Sequence, residues 1–140
     1  MDKDLGTESE IKILKEKAQT LLSKTFEQLT SWQKVQLARH PMRPHSLEYM
    51  NHLFDSYEEI HGDRRFSEDA SILCGFAKRG NQKWAYIAIE KGRKTADKVK
   101  HNFGMVRPEG YRKSLRLMEL AEKFSLPILT LVDTPGAYPG

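Results

Sequence analysis

The residue types best suited to chemistry in this chain gather in fourteen positions, Pro127 to Gly140, reading PILTLVDTPGAYPG. Ile128, Leu129, Leu131 and Val132 make a short apolar run with a β-branched residue at each end, the pattern of a strand buried on both faces in a parallel sheet. The chain then changes character at once, to Asp133-Thr134-Pro135-Gly136-Ala137-Tyr138-Pro139-Gly140. Pro-containing turns with glycines, placed just past the carboxyl end of a buried strand, stand where open α/β sheets put their ligand sites. Gly136 lets backbone come close to a ligand, and the small Ala137 leaves its N–H exposed. Such a loop could present backbone N–H groups to an anion or a developing oxyanion. The plainer alternative is a tight turn and nothing more.

Other chemistries find less support. Asp133-Thr134-Pro135-Gly136 matches the D-x-x-G that follows a strand in GTPases, but that fold also needs G-x-x-x-x-G-K-[ST] to cradle phosphates. Gly75 and Gly80 have the separation, with Asn81-Gln82 in place of Lys-Ser/Thr; Gly92-Arg93-Lys94-Thr95 has the Lys-Thr without the glycine spacing. No G-x-S-x-G and no cysteine in a turn offers a nucleophile. The five histidines, His40, His45, His52, His61 and His101, lack metal-ligand spacing such as H-E-x-x-H. Asp133 is read equally as a catalytic carboxylate or as the cap of its own turn. With no defensible acid/base pair, chemistry run by backbone dipoles is the reading left.

Composition bounds the setting. With 140 residues the chain has the length of one ordinary domain. No apolar run approaches the roughly 20 residues of a membrane span, and the acidic start MDKDLGTESE resembles neither a signal peptide nor a transit sequence. A single cysteine, Cys74, leaves no internal disulfide and no cysteine-rich zinc site in this chain, so a cytoplasmic location is expected. Lys91, Arg93, Lys94, Lys98, Lys100 and His101 cluster within eleven residues, opposed by Asp97. They make either a solvated helix face or a patch for the phosphates of a nucleotide-like ligand. Nucleic acid is disfavoured, because only Phe103 lies near and no aromatic platform is interleaved.

The elements that must position the loop follow from periodicity. Residues 8 to 29 predict an amphipathic helix, started by Thr7 and Glu10 at capping-box spacing. Thr30 and Gln33 repeat that spacing and open a shorter helix to about Arg39, ended by Pro41 and Pro44. Ser46 is expected to cap a third helix, with Leu47, Met50, Leu53, Phe54, Tyr57 and Ile60 on one face and Gly62 as its C′ residue. Residues 72–77 and 84–89 read as strands of a hairpin, with Cys74 a buried hydrophobe. A short helix over 95–102 follows. Pro108 opens a helix to about Phe124 whose apolar face is read as Tyr111, Leu115, Met118, Ala121 and Phe124, with Met118 as core filler. Strand, helix, strand in this order is a βαβ unit. Residues 1–62 are thus expected as a helical lead-in and 63–140 as the start of an α/β domain.

The pieces LARHPMRPHSLEYM, HGDRRFSED, KGRKTADKVKHNFGMVRPEGYRKSLRLMELAEKF and PILTLVDTPGAYPG resemble, in order and spacing, the carboxyltransferase α subunit of bacterial-type, biotin-dependent acetyl-CoA carboxylase. The resemblance runs from about residue 11 to the end. It implies a crotonase-like fold, α/β with stacked ββα units in which glycine-flanked N–H groups stabilise oxyanions. It implies transfer of a carboxyl group from carboxybiotin, on a carrier protein, to acetyl-CoA, giving malonyl-CoA for fatty acid biosynthesis. The implied partners are a carboxyltransferase β subunit carrying a zinc ribbon, the biotin carboxyl carrier protein and biotin carboxylase, with an α2β2 heterotetramer and no membrane. Zinc is expected in the β subunit and no metal in this chain.

Residue by residue, the resemblance puts the backbone N–H groups of Gly136 and Ala137 at the active-site wall, continued by Tyr138, Pro139 and Gly140. It assigns Lys91, Gly92 and Arg93 to a substrate-binding KGR loop, and Pro108-Glu109-Gly110-Tyr111-Arg112 to the start of the helix behind. Family members continue for about as many residues again, including a second Gly-rich turn, so the sequence is expected to be an N-terminal portion, inactive alone. A non-catalytic acyl-CoA-binding scaffold and a biotin-dependent acyl-CoA decarboxylase subunit are the alternatives.

Overall fold

The computed structural model of the protein describes residues 4–140, with side chains from residue 7 onward. The chain divides into two compact units, one ending at Arg43 and one spanning Pro44–Gly140. The first holds α1 (Asp4–Glu27) and α2 (Ser31–Ala38). α1 starts ahead of Thr7, so Thr7 and Glu10 lie inside the helix and do not open it. Gly6, at about 1 kcal/mol for a helix interior, is too weak a breaker to stop a helix of 24 residues. Thr30 caps α2 as expected: its N–H donates to Gln33 Oε1 at 2.8 Å, and the Gln33 N–H donates back to Thr30 Oγ1 at 3.3 Å.

The second unit runs α3 (Ser46–Leu53), β1 (Ser56–Glu59), β2 (Ile72–Arg79), β3 (Gln82–Ile89), α4 (Thr95–Lys100), a 3₁₀ turn at Asn102–Gly104, α5 (Pro108–Lys123) and β4 (Ile128–Leu131). The sheet order is β1-β2-β3-β4, antiparallel except for the parallel β3–β4 pair. β2 and β3 form the expected hairpin, with Arg79 opposite Gln82 and Gly80 at φ +57° in the turn. Alternation along both strands feeds two cores. Ile72, Cys74, Ala85 and Ile87 pack with Leu117 and Ala121 of α5; Leu73, Ala77, Tyr86 and Ala88 pack with Met50 and with Phe54 just past α3. Burial pushes the Cys74 thiol up to about 11, the behaviour of a buried hydrophobe.

Three local expectations need correcting. The third helix does not run to Ile60: it stops at Leu53, and Ser56–Glu59 pairs with β2 instead, Tyr57 opposite Ala77. Leu53, Tyr57 and Ile60 carry the i, i+4, i+7 spacing of a helix, and pairing with the free edge of β2 overrides it, so that Tyr57 packs on one core and Ile60 on the other. The N-cap of α3 is His45, because the Ser46 hydroxyl donates to the Ile89 carbonyl at 2.6 Å. On α5 the buried residues are Glu109, Gly110, Lys113, Ser114, Leu117 and Ala121, whereas Tyr111, Leu115, Met118 and Phe124 are exposed. Met118 is therefore not core filler.

Polar anchors set the rotation of α5. Asp69 Oδ2 accepts the Arg107 N–H at 2.8 Å at the helix start, and its Oδ1 accepts from the Ser71 N–H and hydroxyl. The fully buried Lys113 donates to the Asp69 carbonyl at 3.0 Å and pairs with Glu68. β4 is parallel as expected but not buried on both faces; Ile128 and Thr130 are exposed, because only β3 pairs with it among the described residues.

Candidate active site

β3 and β4 point the same way, so the loops leaving their carboxyl ends, Glu90–Lys94 and Val132–Gly140, emerge side by side. Lys91 Nζ lies 2.7 Å from Asp133 Oδ1 and joins them. A third segment wedges against both. Gly104 has φ +79°, and a Cβ there would stand 2.6 Å from Lys91 Cγ and 3.3 Å from the Asp133 carbonyl oxygen. The Thr134 hydroxyl adds a tie, 2.7 Å from the Gly104 carbonyl oxygen. Asp133 thus bridges loops in this structure.

The DTPGAYPG loop bends at Pro135-Gly136. The Gly136 N–H donates to Thr134 Oγ1 at 3.2 Å, so it is already engaged, although nothing stands within 4 Å of where its Cβ would be. Ala137 is exposed and has no hydrogen bond among the described residues. Tyr138 lies under the Arg107 guanidinium, 5.6 Å from ring centroid to Cζ. Its ring fills the space a Cβ on Gly140 would need. Pro139 is exposed. An open flank at Gly136 and an uncommitted N–H at Ala137 suit an anionic oxygen approaching the backbone; the engaged Gly136 N–H would first have to leave Thr134.

The KGR residues are tied down. Gly92 sits at φ +77° against α4, where a Cβ would come within 2.4 Å of the Asp97 carbonyl carbon. Its N–H donates to Glu90 Oε1 at 2.8 Å. Arg93 donates through Nε to Glu48 Oε1 at 3.2 Å, and its guanidinium holds the Glu48 carboxyl below the ordinary carboxylate range. Of the six clustered basic residues, Lys91 and Arg93 are thus in ion pairs and His101 is buried with Nδ1 at the Ala70 carbonyl. Lys94, Lys98 and Lys100 are exposed, the arrangement of a solvated helix face.

Sequence reasoning missed two groups. Glu90, only 2% exposed, accepts from three backbone N–H groups and faces His45. Glu59, His61 and Glu68 come within ligand distance of one another. Lys113 already supplies a cation there, paired with Glu68 and 3.9 Å from Glu59, and burial raises the Glu59 carboxyl. Beside them Asp63 Oδ1 accepts the N–H groups of Arg65, Phe66 and Ser67, and Oδ2 accepts from Arg112 Nε at 2.7 Å, which fixes the HGDRRFSED loop on α5.

Residues 1–140 match the protein family described as acetyl co-enzyme A carboxylase carboxyltransferase-like. The acetyl-coenzyme A carboxylase carboxyl transferase subunit alpha of Stutzerimonas stutzeri strain A1501 is 55% identical over 139 residues, and that of Azotobacter vinelandii strain DJ 54%. Each alignment takes in 99% of this chain and 44% of the relative, so the chain spans less than half the length of the curated relatives it matches. Among solved structures, the beta subunit of geranyl-CoA carboxylase from P. aeruginosa superposes with a TM-score of 0.53 at 19% identity, over 92% of this chain and 23% of that one. This likeness concerns the fold alone, and it bears out the crotonase-like α/β class.

Proposed function

Because the chain belongs to the acetyl-CoA carboxylase carboxyltransferase family, we propose that it supplies part of the α-subunit side of a carboxyltransferase, which moves a carboxyl group from carboxybiotin to acetyl-CoA. The product is malonyl-CoA, the building block for fatty acid biosynthesis. The observation that carries the reading is the junction of the KGR and DTPGAYPG loops through Lys91 and Asp133, at the carboxyl ends of two parallel strands. That edge is where α/β sheets gather their ligand groups.

Carboxybiotin, borne on its carrier protein, is a substrate here and brings the activated carboxyl group. This chain's part is to bind and orient. The Ala137 N–H, and the Gly136 N–H once released from Thr134, would donate to the oxygen on which negative charge develops, an enolate or ureido oxyanion. Tyr138, Pro139 and Gly140 would continue that wall. Lys91, Gly92 and Arg93 would line the substrate side of the neighbouring loop, with Lys91 fixed by Asp133 and Gly92 by Glu90. Residues 63–140 then form the first part of the carboxyltransferase domain, joined by α3 and β1 from the expected lead-in of residues 1–62, which is therefore not all helical.

The site is completed by a β subunit carrying the zinc ribbon, in an α2β2 assembly served by the biotin carboxyl carrier protein and biotin carboxylase. The assembly works in the cytoplasm; among the described residues no helix is long and apolar enough to cross a membrane. A scaffold role and a decarboxylase role are not favoured by the names of the relatives. The test is malonyl-CoA formation from acetyl-CoA and carboxybiotin by this chain with the β subunit, beside a complete α subunit carrying this sequence. Turnover by the complete subunit is expected. Its failure, under conditions where a relative's α subunit works, would sink the proposal.

A further inference from the structure

Glu90 sits where β3 ends and the KGR loop begins, and it is almost wholly buried, 2% exposed. A buried carboxylate is costly unless its oxygens are satisfied. Here Oε1 accepts the N–H groups of Lys91 at 3.0 Å and Gly92 at 2.8 Å and faces His45 Nδ1 at 3.1 Å, while Oε2 accepts the Leu47 N–H at 3.2 Å. One side chain therefore fastens the loop after β3 to the first turn of α3. The turn it holds includes Gly92 at φ +77° and sends Lys91 out to Asp133.

We propose that Glu90 is a positioning residue for the carboxyltransferase reaction. It touches none of the candidate oxyanion donors; it sets the path of Lys91, and Lys91 in turn holds the DTPGAYPG loop through Asp133. This inference rests on the function proposed above. The chemistry required is an acceptor oxygen aimed at two successive N–H groups, which a glutamine carbonyl also supplies. Glu90→Gln keeps that acceptor but sets an amide nitrogen against the Leu47 N–H, so it acts as the conservative variant.

The test uses a complete α subunit carrying this sequence, assembled with the β subunit, in wild-type, Glu90→Ala, Glu90→Gln and Lys91→Met forms. Two quantities are read: kcat and KM for malonyl-CoA formation, and amide hydrogen exchange at residues 133–138. Glu90→Ala is expected to lower kcat about 10- to 100-fold, by misplacing the loop, with a smaller change in KM. It should also speed exchange at 133–138 while β2 and β3 keep their protection. Glu90→Gln should recover most of both. Lys91→Met, which cuts the link with the Glu90 bonds intact, should speed the same exchange and keeps the test decisive if Glu90→Ala does not fold. Unchanged exchange at 133–138 in both Glu90→Ala and Lys91→Met would overturn the proposal, as would unchanged kcat in Glu90→Ala. An inactive wild type would count against the proposed function alone, and the exchange data would still decide whether Glu90 positions the loop.

Discussion

Lys91 and Asp133 are 42 residues apart in sequence, yet their side chains meet at 2.7 Å and are mostly screened from water, with 21% and 17% exposure. Partial burial makes such a pair worth more than a surface ion pair and makes removal of one partner costlier. Lys91→Ala and Asp133→Asn are each expected to destabilise the fold by roughly 1–3 kcal/mol. Urea unfolding of both single variants and the double variant should return a coupling of about 1 kcal/mol. Simple additivity would mean that the pair does not hold the loops together.

Gly92 and Gly136 separate architecture from chemistry. Gly92→Ala puts a Cβ at a left-handed φ and against the α4 backbone, and should cost roughly 2 kcal/mol or more. Gly136→Ala meets open space, so thermal unfolding should move by less than about 0.5 kcal/mol. In the complete enzyme, however, that methyl would crowd an approaching substrate oxygen, and turnover should drop about tenfold or more. Equal turnover would remove the loop wall from the reaction.

Asp63 is held well below its ordinary value of 3.8, foremost by the Phe66 N–H and also by the Arg65 and Ser67 N–H groups and Arg112. A depressed carboxyl contributes stability that is complete above its unfolded value and lost as pH falls below it. Melting temperatures followed downward from about pH 6 should therefore fall more steeply below about pH 4 for the native chain than for Asp63→Asn. Parallel curves would assign the acid sensitivity elsewhere.

Leu117 and Met118 are neighbours on α5 with opposite fates. Leu117 is fully buried between helix and sheet, and Leu117→Ala should cost about 2–5 kcal/mol. Met118 is 40% exposed, and Met118→Ala should stay within about 1 kcal/mol in chemical denaturation of this chain. The reverse order would restore the apolar face read from spacing.

What the sequence revealed and concealed follows from the range of the forces. The hairpin, the Thr30 capping box and the start of α5 at Pro108 depend on neighbours in the chain, and those were legible. The fate of residues 54–60 was not, because their apolar spacing is helical and only pairing with the distant free edge of β2 overrides it. The buried face of α5 was hidden for a related reason: Lys113 and Gly110 look like surface residues until Asp69 and Glu68 arrive from more than forty positions away. The site loops were located by motif, but Glu90, a lone carboxylate beside a lysine, carried no signal of the four groups it would gather.

The wide sequence separation of the loop junction also orders events in time. The β2–β3 hairpin closes over a two-residue turn, a microsecond step, whereas the Lys91–Asp133 contact must wait for α4, α5 and the crossover between them. The loop junction is then expected to form after the hairpin and to open locally while the hairpin stays intact. Pulse-labelled refolding should protect hairpin amides before the Gly136 amide; simultaneous protection would mean the loops and hairpin form one cooperative unit. A site of this kind can be lost to slow opening long before the fold itself is lost.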